Sequence, residues 1–478
     1  KNIPVVFFNN QKIAGISTYS YDALYRLTEA SGRESDTSLA FDGKDNWNDA
    51  AYMKQLHPGD PMAMRNYMQQ FKYDSVGNIQ QMSHQASGNA WTKDYQYQAA
   101  NNRLISTQIG INTYLYPHHS EHGNMTTMPH LEEMDWSFKE ELVRTIRQRR
   151  TDGGIAETTY YQYDGQGQRI RKITENQANA GDEPSKKNER IYIAGYELYK
   201  QHSGSDAGLE RTSLSLMDEQ HRFVMIDTET KPRLILGIPV GRTSPVQTVR
   251  YQLHNHIGSA SLELDDSAQV ISYEEYHPFG TTAYQAKNRD IRAAVKRYRY
   301  TGMERDEESG LSYHSARYYL PWLGRWGSVD PAGLVDGGNL YGYAQNSPVN
   351  LADFDGYQAS TITKRKIKGL TKEEKKVLDN PKSSPNDVLA IARKAGYEGK
   401  GPFVWNEDAP KHYQWVVSKA KSSEENGVAD DKGQVEGRDN KSEEKREPKG
   451  NGGKDKENIE GEDGGWLPDF VKKIIIAI

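Results

Sequence analysis

A short unit built around a Tyr-Asp pair recurs along this chain, and it restricts the fold more than any other feature, because a missed repeat misassigns a whole architecture. In its full form it reads Tyr-Asp-x-x-Gly-Asn/Arg with an aromatic residue two positions earlier. Copies of varying fidelity run YSYDALYRLTEASG from Tyr19, FKYDSVGNIQQM from Phe71, YQYQAANNRLIST from Tyr95, YLYPHHSEHGNMTTM from Tyr114 and YQYDGQGQRIRKIT from Tyr161. Each predicts a strand, a turn and a second strand. Phe71 and Tyr73, then Ile79 and Met82, put apolar groups on one side of a pleated ribbon, and Asp74 to Asn78 supplies the turn. The Asp carboxylate can accept backbone N–H groups, while Gly or Asn tolerates positive φ. One hairpin cannot bury its own face, so successive copies must pair into a continuous sheet.

Composition agrees with many short aromatic strands. Only 35% of residues are hydrophobic, yet the chain holds 30 Tyr, 42 Gly and 8 Trp. A formal net charge of -5 gives no global case for nucleic acid as the partner. The absence of cysteine excludes disulfides, thiolate catalysis and cysteine-ligated zinc. The chain opens on Lys1 with no secretory leader pattern, as a fragment or processed piece would, and the apolar close from Phe470 to Ile478 is too short to span a bilayer. Polar stretches 43–61 and 176–188 read as surface loops, and Leu131 to Arg150 as a strand running into a loop or short helix.

From Tyr251 the pattern becomes specific: YQLHNHIGSASLELDDSAQVISYEEYHPFGTT, and later YRYTGMERDEESGLSYHSARYYLPWLGRWGSVDPAGLVDGGNLYGYAQNSPVNLADFDG. These segments, through residues such as His254, Gly258, Pro278, Phe279, Gly280, Tyr313, Arg317, Gly324, Arg325, Asp330, Pro331, Tyr341 and Asn346, resemble the Rhs repeat-associated core shared by Rhs proteins and the C subunits of Tc insecticidal toxins. The resemblance implies a mainly β fold in which a YD-repeat sheet spirals into a hollow shell plugged by the core. It further implies that the shell encloses a C-terminal passenger cut from it by the core. Expected partners are a second shell-forming subunit or an N-terminal portion of the same polypeptide, a translocation pore or secretion system, and the chain's own passenger. The implied location is secreted or cell-surface, with the effector delivered into a target cell. The corresponding division is 1–250 for the repeat shell, 251–357 for the core, 358–420 for a passenger and 421–478 for a charged, low-complexity tail.

Asp330 and Asp353 both open Asp-x-x-Gly turns after strand-like stretches, which offers backbone donors around each carboxylate. Brought within a few Å, two carboxylates share one proton and can act as acid and base at a single pH. The family supplies the pairing, which spacing alone does not, and suggests Arg317 as a nearby cation with Arg325 as a second candidate. It also places the cut of this single-turnover aspartic autoprotease between Tyr357 and Gln358. Phe354 stands where proline is usual and Tyr357 where an aliphatic residue is commoner; both keep an apolar group.

No cofactor is expected. His254 and His256, with His118, His119 and His122, hint at a metal, but no carboxylate or cysteine completes that set, and structural histidines fit it better. Neither a phosphate-binding glycine loop nor a Gly-x-Ser-x-Gly elbow is present. Beyond Tyr357 the composition shifts: residues 358–400 carry 11 Lys or Arg against 5 Asp or Glu. Helices are expected from Thr371, over Ser384 to Ala395 and over Ala409 to Ala420, with disorder from Ser422 to Gly465. The tail reads either as an effector, nucleic-acid directed if its basic start is used, with Glu407, Lys411 and His412 as polar candidates, or as a non-enzymatic linker. For the whole chain the alternative to a toxin container is a cell-surface YD-repeat protein used for adhesion or carbohydrate contact.

Overall fold

The computed structural model describes residues 6–8, 11–13, 15–35, 64–147, 150–218, 221–231, 233–235, 238–240, 245–288, 291 and 293–361, and in the tail 384, 387, 390, 403–405 and 415–417. The insertion 43–61, the helix expected from Thr371, the expected disorder and the candidates Glu407, Lys411 and His412 lie outside these residues. Among the described residues no helix is long and apolar enough to cross a membrane.

Two antiparallel meanders make up the wall. Seven strands from Thr18–Tyr21 to Asn112–Leu115 pair in chain order, and twelve more from Leu131–Trp136 to Thr282–Lys287 do the same, interrupted only by the small hairpin Arg233–Ile235 with Ile238–Val240. The repeat chemistry explains why strand follows strand. In the full-length turns one Asp oxygen accepts two backbone N–H groups, from the residues two and four ahead. Asp22, Asp74, Asp164 and Asp265 all do this, and Asn255 does it with its amide oxygen, at 2.8–3.1 Å. The neighbouring tyrosine then ties each hairpin to the one before it. Tyr73, Tyr97, Tyr163 and Tyr276 donate their phenolic O–H to the carbonyls of Leu27, Ile79, Leu142 and Ala260, the residues that open the preceding strands. Ring burial and a satisfied hydroxyl are thus achieved by one side chain.

Three expectations change. Leu131 to Arg150 forms two strands, Leu131–Trp136 and Leu142–Arg147, around a turn in which the Ser137 hydroxyl accepts from the Lys139 and Glu141 amides, so no helix forms there. The copy from Tyr114 makes no regular hairpin. Its strand stops at Leu115, Pro117 follows, no Asp gathers the amides of a tight turn, and the segment crosses to the core, where the Met125 N–H meets the Gly327 carbonyl at 2.9 Å. The division expected at 250 falls inside the strand Val246–His254, and the wall continues to Lys287. Arg250 explains the continuity, since it bridges Asp227 and Glu263 on the strands to either side.

The core segment, a plug, fills the wall's inner side. Its small sheet, Glu304–Arg305, Ser312–His314, Arg317–Leu320 and Arg325–Trp326, packs Leu311, Tyr318, Leu320 and Trp322 into one cluster with Leu27, Phe71, Leu104, Leu142 and Tyr161 of the wall. Buried ion pairs fix its seating: Arg169 to Glu304 and Asp306, Lys172 to Asp306 and Glu308, Arg297 to Glu197, and Arg299 to Glu274. Such pairs add little net stability over apolar packing, but losing one partner strands a buried charge, so they specify how the plug sits.

The compact unit runs to Ile362, past the division expected at 357, because Ser360–Thr361 pairs with Leu351–Ala352. In the second unit Asp387 and Ala390 are helical, within the helix expected from Ser384. The helix expected over Ala409 to Ala420 is overturned: Trp415–Val417 is a strand paired with Phe403–Trp405. Aromatic and β-branched residues on both segments favour strand pairing over the helical reading.

Candidate active site at the plug

Arg317 begins the strand Arg317–Leu320, just after a tight turn in which Ser315 takes a φ of 59°. Its side chain lies over the Trp326 ring, 4.2 Å from the centroid, and is almost wholly buried. Asp330 and Asp353 arrive from two other turns. The Asp330 N–H is held by the Leu340 carbonyl, and its Oδ1 accepts from the Ala332 N–H at 2.8 Å. Asp353 follows the strand Leu351–Ala352, and its Oδ1 accepts from the Gly356 N–H at 2.8 Å. The second oxygen of each carboxylate is left over, and both meet the same Arg317 nitrogen, Nη2, each at 3.0 Å. The two oxygens therefore lie within about twice that distance of one another.

The other edge of the guanidinium grips the backbone. Arg317 Nε donates to the Gly356 carbonyl at 2.6 Å, while Arg317 Nη1 is buried with no partner among the described residues. Gly356 must be glycine. Its φ is 77°, and a Cβ there would sit 2.7 Å from the His314 carbonyl and 2.8 Å from the Arg317 nitrogen. His314 fixes the turn from beneath, its Nδ1 on the Asp353 carbonyl at 2.5 Å. Burial pushes the His314 imidazole down to about 3, so at neutral pH its Nδ1–H is the donor.

Residues flanking the expected cut are anchored on both sides. The Tyr357 N–H donates to Asp355 Oδ1 at 3.0 Å, and the Ala359 N–H donates to Asp336 Oδ2 at 2.7 Å. Tyr357 is itself 48% exposed and, with Asp330, Ser328, Tyr163 and Gln168, lines a cavity of about 520 Å³. Burial pushes the Asp353 carboxyl up to about 6 against the pull of Arg317, and raises Asp330 in the same sense. Burial likewise lowers Arg317, opposed by both aspartates. Asp355 adds to the rise at Asp353, and Asp336 to that at Asp330.

Among the residues singled out from sequence, Asp330, Asp353 and Arg317 come together, and Arg325 does not join them. Arg325 donates to the Asn102 carbonyl at 2.6 Å and lies between the rings of Tyr97 and Tyr341, tying plug to wall. Sequence reasoning missed His314, Asp336 and Trp326. None belongs to a local pattern that announces it, since each acts through a contact made only on folding. The histidines weighed as metal ligands have other partners: His118 the Tyr116 carbonyl, His122 the Glu140 carboxylate, His256 the Val349 carbonyl, while the His119 ring packs on His122 and that of His254 on His221.

Comparison with known proteins follows the same lines. No family model matches the chain. It is 32% identical over 416 residues to toxin subunit YenC1 of Yersinia entomophaga, covering 86% of this chain and 39% of that protein. YenC2 of the same organism is 33% identical over 356 residues, covering 73% and 35%. The crystal structure of TcdB2-TccC3 without hypervariable C-terminal region superposes with a TM-score of 0.57 at 30% identity, over 73% of this chain and 16% of that one. The chain is similar in sequence and in fold to C subunits of Tc toxins. It spans less than half the length of these curated relatives.

Proposed function

We propose that this chain, similar to Tc toxin C subunits, forms the plugged end of a shell that encloses its own C-terminal region and cuts that region loose between Tyr357 and Gln358. One observation carries the reading: two buried carboxylates from separate turns meet one guanidinium nitrogen, while the same guanidinium holds the carbonyl of Gly356, next to the bond to be cut. The ionised carboxylate of the pair takes a proton from a water whose oxygen attacks the Tyr357 carbonyl carbon. The protonated partner gives its proton to the Gln358 nitrogen as the C–N bond breaks, leaving a carboxylate on Tyr357 and an amine on Gln358. The unpartnered Arg317 Nη1 is a donor available to the oxygen that becomes negative in the tetrahedral intermediate. Arg317 Nε and Asp336 hold the flanking residues, so the reacting peptide is stretched between fixed points.

After the cut, Ser360–Thr361 remains paired with Leu351–Ala352, so the new N-terminus stays in place until the ladder opens. Release is then a separate step from cleavage. A second shell-forming subunit would complete the shell, and a translocation pore would receive the released segment. Expression of the full chain should give two fragments with a new N-terminus at Gln358, and Asp330→Asn should give one intact chain. An uncut wild type by intact mass spectrometry, or cleavage persisting in Asp330→Asn, removes the proposal.

A further inference from the structure

Away from the plug, three ligand-bearing side chains converge where the two wall sheets meet. Glu34 lies near the end of the strand Leu27–Ser35 and His84 on Ile79–Ala86, both in the first sheet; His277 follows Val270–Tyr276, near the far end of the second. Glu34 Oε2 is 3.2 Å from His84 Nε2 and 3.1 Å from His277 Nε2, and the three ligand atoms all lie within 4.8 Å of one another. Glu34 and His84 are buried and His277 nearly so.

We propose that Glu34, His84 and His277 form a zinc site that clips the first sheet to the end of the second. Two imidazole nitrogens and one carboxylate are the donor set of a three-ligand zinc centre with its remaining position open to water. Each nitrogen and oxygen must approach to about 2.0–2.2 Å of the ion, which asks ligand atoms to stand about 3.3 Å apart. The Glu34 contacts already meet that spacing, and the two imidazole nitrogens lie within 4.8 Å of each other. The outer nitrogens have partners: His84 Nδ1 is 3.3 Å from Gln69 Nε2, and His277 Nδ1 is 3.0 Å from Thr281 Oγ1. With Gln69 turned to present its oxygen, His84 Nδ1 donates and Nε2 is free to ligate. The His84 ring is stacked between Tyr67 and Trp91, and His277 meets Tyr67 edge-on, which fixes both rings. Arg65 Nε takes the other Glu34 oxygen at 2.7 Å and leaves Oε2 to the ion. Because Arg65 offsets the one carboxylate, bound water or hydroxide completes the charge balance, and affinity falls below that of thiolate sites. None of these residues takes part in the cleavage chemistry, so the two proposals stand or fall separately.

Titration of the EDTA-treated full chain with zinc should show uptake of one ion per chain at micromolar or tighter affinity, and cobalt should give the visible bands of a low-coordinate site. Zinc should raise the melting temperature of the wild type by several degrees and leave that of His277→Ala unmoved. His277→Ala and His84→Ala should lose the site, whereas His119→Ala and His122→Ala should keep it. Absence of stoichiometric uptake by the folded wild type overturns the proposal and leaves a proton-sharing imidazole–carboxylate network, as does uptake retained in a folded His277→Ala chain. If that variant fails to fold, the cobalt spectrum of the wild type decides: bands indicating imidazole ligation support the site, and their absence overturns it.

Discussion

Turns of the wall and turns of the plug use the same residue for different ends. Asp74 spends its whole carboxylate locally: Oδ1 accepts the Val76 and Asn78 N–H groups, and Oδ2 accepts the Asn78 side-chain amide. Asp330 and Asp353 each give one oxygen to their turn and keep the other for Arg317. Asp74 is only partly buried, in a turn whose Ser75 and Val76 are exposed, while Asp353 is 1% exposed and pushed up to about 6. An Asp turn thus becomes chemically capable through burial and one oxygen left unused by its own backbone, with no change in the turn itself.

The sharpest way to break this contrast is to neutralise each class. Asp353→Asn keeps the Gly356 hydrogen bond but removes the titrating oxygen, and should slow cleavage by about 10²–10⁴-fold, read as the fraction of intact chain over time. Asp74→Asn, made identically in the wall, should leave the cleavage rate unchanged. If the two variants behave alike, the distinction between the turns is false.

Next in size is Gly356→Ala. The added Cβ meets two backbone positions and requires an unfavourable φ, so the plug should lose about 1–3 kcal/mol in denaturant unfolding of a cleavage-blocked chain, with cleavage slowed as Arg317 loses its grip. A cut rate equal to wild type would detach the Gly356 carbonyl contact from the mechanism.

Effects of pH separate the regions by sign. The folded Asp353 carboxyl holds its proton more tightly than an ordinary aspartate. Its contribution to stability is therefore fully present below the ordinary value of 3.8 and lost as pH rises through about 6. Glu274, drawn down to about 2 by Arg299 and Lys296 despite burial, behaves oppositely: its contribution is present above 4.5 and lost as pH falls through about 2. Cleavage, which needs one proton on the pair, should decline about tenfold per unit above about pH 6. A pH-independent cleavage rate from 5 to 8 would exclude the carboxylate pair as the proton donor.

Smallest is the wall's own tether. Tyr97→Phe removes the hydrogen bond to the Ile79 carbonyl and should cost about 0.5–1.5 kcal/mol by denaturant titration, with cleavage unaffected. A tenfold change in cleavage would mean that this tether reaches the site through Arg325, which lies over the Tyr97 ring.

Local order in the wall was legible because each repeat satisfies itself. The Asp takes its turn's own amides, the Tyr reaches one strand back, and strands pair in chain order, so Phe71 to Met82 predicts its hairpin without knowledge of the rest. Where local signals conflicted, neighbours decided. Leu142 to Ile146 fits helical spacing yet pairs as a strand because Leu131–Trp136 lies alongside, and the basic tail's Trp415–Val417 pairs with Phe403–Trp405. The site was only half legible. Asp330, Asp353 and Arg317 carry a recognisable pattern, but Arg325, equally eligible as a charge in sequence, is drawn to Asn102 and two tyrosine rings.

What the sequence determined by itself was therefore the locally closed chemistry of the full-form repeats: their hairpins, turn bonds and aromatic face. Only the tertiary structure decided which charges meet across long separations, such as Arg317 with Asp353 or Glu34 with His277, because the energy of a buried charge depends on partners the chain brings together in space and not on its neighbours along it.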